Sequence, residues 1–419
     1  MLNRYFIRPT TVDRIRASWI GEGIERYVVW LTEQHYAARN VFFRVPVLVR
    51  FGEFARTFGA NKVDDLPAHV EPFIEDWLNR RKRGYSDAQR WIAARELRNP
   101  IQQLLQLVLP DQVGDTRSVP DPFADVVPGF FDFLRRDRGL RETTIVQYRY
   151  YLQRLQDYLQ SIGRPLLPNF PPAIISGLIT ESGKTLDKRS VQSLCSILKV
   201  FFRYLYRVDL MTRDMSKAIE SPRRYRLANL PRSITWSEVE QMLLKVDRRS
   251  AVGKRDYAIL LLLVTYGLRA REVGALTLDD IDWERNRLDV RGRKAGHSTI
   301  YPLAPTVGEA VLDYLKQGRP KTANRAVFIG AYAPYTTLSR VAVSLRAKWY
   351  LRKAGINVSR PGSHTLRHTC VQRLVDSGFS LKTIGDFIGH RTPDATKIYA
   401  KVNIEALRQV ALGNGEEIL

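Results

Sequence analysis

The sequence predicts a mainly α-helical protein of several domains, with helical modules at the N-terminal side and an α+β domain with a small antiparallel sheet at the C-terminal side. Three observations predict it. At 419 residues, 44% of them hydrophobic, the chain is long enough for two or three buried cores. Over roughly the first half, apolar residues recur at the three-and-four spacing of amphipathic helices. Only around 287–303 does the pattern shorten to two strand-like runs, which a turn containing Gly292 and Gly296 joins.

Residues 1–110 read as a helical module, with helices over 20–34, 42–58, 69–82 and 87–108. Its basic run Arg80-Arg81-Lys82-Arg83 is either a solvated face or a contact with a polyanion. Pro110 to Pro122, with Gly114, Asp115 and Ser118 between them, marks a break. A second helical module follows at 121–222, with amphipathic helices over 124–136 and 143–162 and an aromatic, basic helix over 190–206. The spacing Ile24, Tyr27, Val28, Leu31 is echoed by Val127, Phe130, Phe131, Leu134. A degenerate duplication of the module would produce this echo, and so would generic helical patterning.

Ser221-Pro222-Arg223-Arg224-Tyr225-Arg226 through Pro231-Arg232 is a basic, proline-bounded linker, and the last domain runs over 233–419. There the apolar run 258–265 predicts a buried helix closed at Gly267. Arg269 comes just beyond it, with Glu272 three residues on and able to hold its guanidinium. The runs 287–291 and 299–303 predict a hairpin with Lys294 at its tip, and helices are expected over 306–317 and 336–354.

His364 and Arg367 share one helical face. A short helix over 381–388 leads into Gly389-His390, and Thr392-Pro393 supplies an N-cap and an N1 proline for a helix carrying Tyr399. An arginine within one turn of a histidine suits an anion, because a guanidinium is permanently charged and can form two parallel bonds to a phosphate. Val402, Ile404, Leu407, Val410, Ala411 and Leu412 predict one last amphipathic helix, which must pack on its own domain or on a neighbouring copy.

The net charge of +23 favours a polyanion partner, with nucleic acid the default. Cys195 and Cys370 lie in apolar helical patterns without metal-ligand spacing, as expected of buried reduced thiols in a cytoplasmic protein. Met1 to Phe6 lack the apolar core of a signal peptide, and no apolar run reaches the roughly 20 residues that would cross a bilayer, so no membrane association is expected.

Taken together, these residues resemble the tyrosine recombinase (phage integrase) family. Gly267-Leu268-Arg269 with Glu272 matches the family's first arginine box, and Lys294 falls where its hairpin lysine falls. His364-x-x-Arg367 matches the second box, Gly389-His390 the second histidine, and Tyr399 the nucleophile nine positions later. Arg141 to Tyr148 resembles the second helix of the family's core-binding module. The resemblance covers about 122–410 and leaves the N-terminal module outside it. Ile388 and Ala400 depart from the residues common at those positions, without touching the chemistry.

The resemblance implies double-stranded DNA as partner, a homo-oligomer on DNA with a tetrameric synapse, related recombinases as possible co-partners, and a role in integration, transposition or resolution of mobile DNA. It further implies that Arg269, Lys294, His364, Arg367, His390 and Tyr399 are catalytic, with Glu272 supporting. Arg223, Arg224, Arg226 and Arg232 in the linker would meet phosphates, which position without reading sequence.

The residue types suit the chemistry. Two guanidiniums can stabilise a pentacoordinate phosphorus, a lysine can protonate the leaving 5′ oxygen, and a tyrosine can attack to give a 3′-phosphotyrosine. No metal or other cofactor is expected, since the matched positions are cationic or neutral apart from Glu272. A type IB topoisomerase uses similar residues and is the alternative; a catalytically silent DNA-binding regulator is the third.

Overall fold

The computed structural model describes residues 1–80, 86–110, 121–164, 171–223, 233–291 and 298–389. The chain divides into two compact units, Met1–Gln112 with Asn229–Leu419, and Val113–Ala228.

The N-terminal segment comprises α1 (Pro9–Ala17), α2 (Gly21–Glu33), α3 (Ala38–Thr57), α4 (Val70–Asn79) and α5 (Asp87–Val108). α2 buries Ile24, Tyr27, Val28 and Leu31, the stripe that the apolar spacing predicts. Ser86 starts α5 with a capping box, its hydroxyl accepting from the Gln89 amide while the Gln89 side chain accepts from its own. Buried Tyr27 keeps its hydroxyl satisfied, donating to Gln103 at 2.8 Å and accepting from Arg44 at 2.9 Å.

The second unit holds α6 (Phe130–Arg135), α7 (Glu142–Ser161), α8 (Pro172–Thr185) and α9 (Lys188–Arg207). Along α9, Leu194, Cys195, Leu198, Phe201, Phe202 and Leu205 all face the core, where Phe130 and Phe201 meet edge to face at 5.0 Å. The helix expected over 124–136 begins only at Phe130. Pro128 has no amide to donate, and Gly129 takes a left-handed φ of +87° that stops helical propagation toward the N-terminus. α8 was not anticipated from the sequence.

The C-terminal domain begins with α10 (Trp236–Leu244), α11 (Ala251–Thr265) and α12 (Ala270–Ala275). Next come β1 (Ile281–Asp282), β2 (Arg287–Val290) and β3 (Thr299–Pro302), then α13 (Pro305–Gln317), α14 (Arg340–Lys353), α15 (Ser363–Asp376) and α16 (Leu381–Ile388). The strands form an antiparallel sheet in the order β1-β2-β3, with Leu288 opposite Tyr301 and Val290 opposite Thr299. α11 is the central rod: every residue from Ala258 to Val264 is buried, and α12, α13, α14 and α15 pack around it.

α14 starts at Arg340 rather than near 336 because Ser339 is its N-cap, accepting from the Ala342 amide at 3.1 Å. A buried ionic knot joins it to α11. Asp256 accepts from Arg255 at 2.9 Å, from Arg346 at 2.7 Å and from the Tyr350 hydroxyl at 3.3 Å. Arg255 uses its remaining reach on the Ile329 carbonyl at 3.1 Å.

Candidate active site

The end of α11 sets the first part of the site. Gly267 adopts a φ of +58°, and a Cβ there would lie 3.2 Å from the Cys370 Sγ, so both backbone geometry and space call for glycine. The turn places Arg269 as the N-cap residue of α12. Glu272 reaches back over the first turn: its carboxylate accepts from the Arg269 amide at 2.9 Å and from the Arg269 guanidinium at 2.8 Å, the N3 half of a capping box. One acidic side chain thereby satisfies a helix N-terminus and orients a half-buried guanidinium.

Arg367 comes from the first half of α15 and is buried, 5% exposed. One of its Nη atoms donates to the Gly267 carbonyl and the other to the Ile388 carbonyl at 2.8 Å. Arg269 donates its own Nη2 to the Gly389 carbonyl at 3.1 Å. The two guanidiniums therefore meet at the C-terminal end of α16, where Gly389 takes a left-handed conformation and carbonyls lack intrahelical donors. That end carries the negative pole of the helix, a suitable seat for cations.

His364 is exposed on the first turn of α15, one turn before Arg367, with its ring 6.5 Å from that of His368. Val290 and Thr299 pair at the end of the β2–β3 ladder, on either side of the sequence segment that includes Lys294. Lys294, His390 and Tyr399 lie outside the described residues, as do Arg224, Arg226 and Arg232, the helix expected to carry Tyr399 and the one expected over 402–412. Arg223 is exposed near the end of the second unit.

Several participants escaped sequence reasoning. The Gly267, Ile388 and Gly389 carbonyls that hold the arginines are backbone groups, invisible to residue type. The Asp256 knot did leave a signal, three consecutive charged residues, Lys254-Arg255-Asp256, in the first turns of a strongly apolar helix. Cys370 packs beside the Gly267 turn, and burial pushes its thiol up to about 12 against the opposing pull of Arg367 and Arg373.

Comparison with known proteins identifies the family. Residues 232–406 match the phage integrase family and residues 127–208 the phage integrase N-terminal SAM-like domain. The chain is 31% identical to the integrase/recombinase y4rA of Sinorhizobium fredii, over 92% of either chain. It is 30% identical to the tyrosine recombinase XerD of Vibrio vulnificus, over 68% of this chain and 93% of that one. In fold it is similar to the XerH site-specific recombinase bound to its difH substrate, with a TM-score of 0.52, 15% identity and coverage of 87% of this chain and 95% of the other. A lambda integrase dimer bound to a COC′ core site also gives 0.52, at 18% identity, over 64% of this chain and 92% of that one. With two arginines brought together at the Gly389 end of a helix, and a relative 31% identical over 92% of either chain, the chain belongs to the phage integrase family of tyrosine site-specific recombinases.

Proposed function

We propose that this recombinase cuts and rejoins DNA through a 3′-phosphotyrosine formed by Tyr399. The observation that supports this most is the meeting of Arg269 and Arg367 at one helix end, which concentrates fixed donors where a phosphate's developing charge would sit. In this reading the two guanidiniums bind the non-bridging oxygens, and Glu272 keeps Arg269 in place. Lys294 protonates the leaving 5′ oxygen, and His364 and His390 divide base and donor duties toward Tyr399 and the phosphate. The phosphotyrosine conserves the energy of the broken bond, so rejoining needs no nucleotide cofactor. The cationic character of the set makes the reaction independent of metal ions.

The partner is double-stranded DNA, engaged by the basic linker and the helical unit ahead of it. Among similar solved proteins, XerH is bound to its difH substrate and lambda integrase to DNA. A tetrameric synapse of this chain, a role in mobile DNA and a cytoplasmic, nucleoid-associated location complete the reading. Among the described residues no helix is long and apolar enough to cross a membrane.

A plasmid carrying two copies of the DNA that flanks the protein's own gene tests the outcome of cleavage. Recombinant circles are expected. Relaxation of supercoils without strand exchange would instead point to topoisomerase action.

A further inference from the structure

The last turn of α16 presents the carbonyls of Phe387, Ile388 and Gly389 in succession, and each accepts from a side chain that arrives from elsewhere in the domain. Arg269 takes Gly389 and Arg367 takes Ile388. The phenol of Tyr301 takes Phe387. The two arginines belong to the motifs already described; the tyrosine belongs to none of them.

Tyr301 sits in β3 opposite Leu288 and is 1% exposed. Its ring lies 5.0 Å from that of Tyr266 and, edge to face, 5.0 Å from that of Phe387. Tyr266, which immediately precedes the Gly267 turn, donates to the Pro302 carbonyl at 2.9 Å and accepts from the Ala304 amide at 2.8 Å. β3 is thus fastened on one side to the turn before Arg269 and on the other to the helix end that both arginines grip. An aliphatic residue would fill this core position equally well. A phenol there is justified by its donor, since an unmet carbonyl at a buried helix end is costly.

We propose that Tyr301 is a positioning residue for DNA cleavage. By holding the Phe387 carbonyl it fixes the register of the α16 end, and so the places of Arg367 and Arg269 against the scissile phosphate. This inference rests on the function proposed above.

Tyr301→Phe keeps the ring packing and removes only the donor. Single-turnover cleavage of a nicked suicide duplex, DNA affinity and thermal unfolding would be compared with wild type. The variant should bind DNA normally, unfold a few degrees lower while staying folded at the assay temperature, and cleave at least tenfold more slowly. On a duplex whose scissile phosphate carries a methyl group in place of one non-bridging oxygen, much of the charge the guanidiniums must meet is gone, so the defect should shrink at least threefold. A wild-type rate for the variant, or a defect of equal size on both substrates, would overturn the proposal. Rescue by sulfur at the bridging 5′ position would also overturn it, by placing the fault at the hairpin acid. Adduct formation by wild type with an unimpaired variant refutes this inference alone, whereas no adduct from wild type on any substrate refutes the function as well.

Discussion

Arg269 and Arg367 donate to adjacent carbonyls of a single helix end, Gly389 at 3.1 Å and Ile388 at 2.8 Å. Neither residue is near the other in sequence. The backbone of α16 is the common frame that sets their separation, so a change at one should be felt by the other.

Arg269→Ala and Arg367→Ala should each slow cleavage by orders of magnitude, since losing one well-placed donor to a developing charge costs about 3 kcal/mol or more in the barrier. They should differ in stability. Arg269→Ala takes a guanidinium from buried Glu272, whereas Arg367 is itself buried and serves the carbonyls of both Gly267 and Ile388, so both variants should lower the urea midpoint and Arg367→Ala should lower it further. Equal midpoints for the two variants would refute this division.

Lys294→Ala should be rescued by a duplex with sulfur at the 5′ bridging position, because a thiolate leaves without a proton. Equal impairment on both duplexes would take the general-acid role from Lys294 and direct attention to Arg293 or His297.

Asp256 is fully buried and accepts from Arg255, Arg346 and Tyr350. Asp256→Ala strips a buried cation of its partner, which typically costs about 3–5 kcal/mol. Chemical denaturation with an unchanged m-value should report that loss. A shift below about 1 kcal/mol would mean that the knot contributes little beyond its packing.

Burial raises the Cys370 thiol to about 12, above the roughly 8.5 of an unfolded cysteine. A raised thiol stabilises the fold fully below the unfolded value, and that contribution is lost as pH rises toward the folded one. Between about pH 9 and 12 the wild type should therefore lose up to ~1.4 kcal/mol per pH unit more than Cys370→Ala. At pH 8 iodoacetamide should label neither buried cysteine until denaturant is added. Rapid native labelling of Cys370 would contradict its enclosure.

The helices were legible wherever apolar periodicity was strong. α5 and α16 occupy 87–108 and 381–388 as expected, and the hairpin strands fall one residue short of their predicted ends. Glu272 beside Arg269 was legible because helical geometry brings residues three apart together. The late start of α6 depended on the left-handed backbone of Gly129, which apolar spacing does not register. Contacts such as Arg346 with Asp256, or Tyr301 with the Phe387 carbonyl, join distant segments or use backbone atoms, so no local pattern announces them.

Tyr399 is expected to become covalently joined to DNA without help from a metal ion. A nicked suicide duplex, incubated with the protein in excess EDTA and resolved on a denaturing gel, tests it directly. Wild type should yield a slow-migrating protein–DNA adduct, and Tyr399→Phe, with only the attacking oxygen removed, should bind the duplex and yield none. A Phe variant that still becomes linked, or a wild-type adduct that vanishes with EDTA, would contradict it.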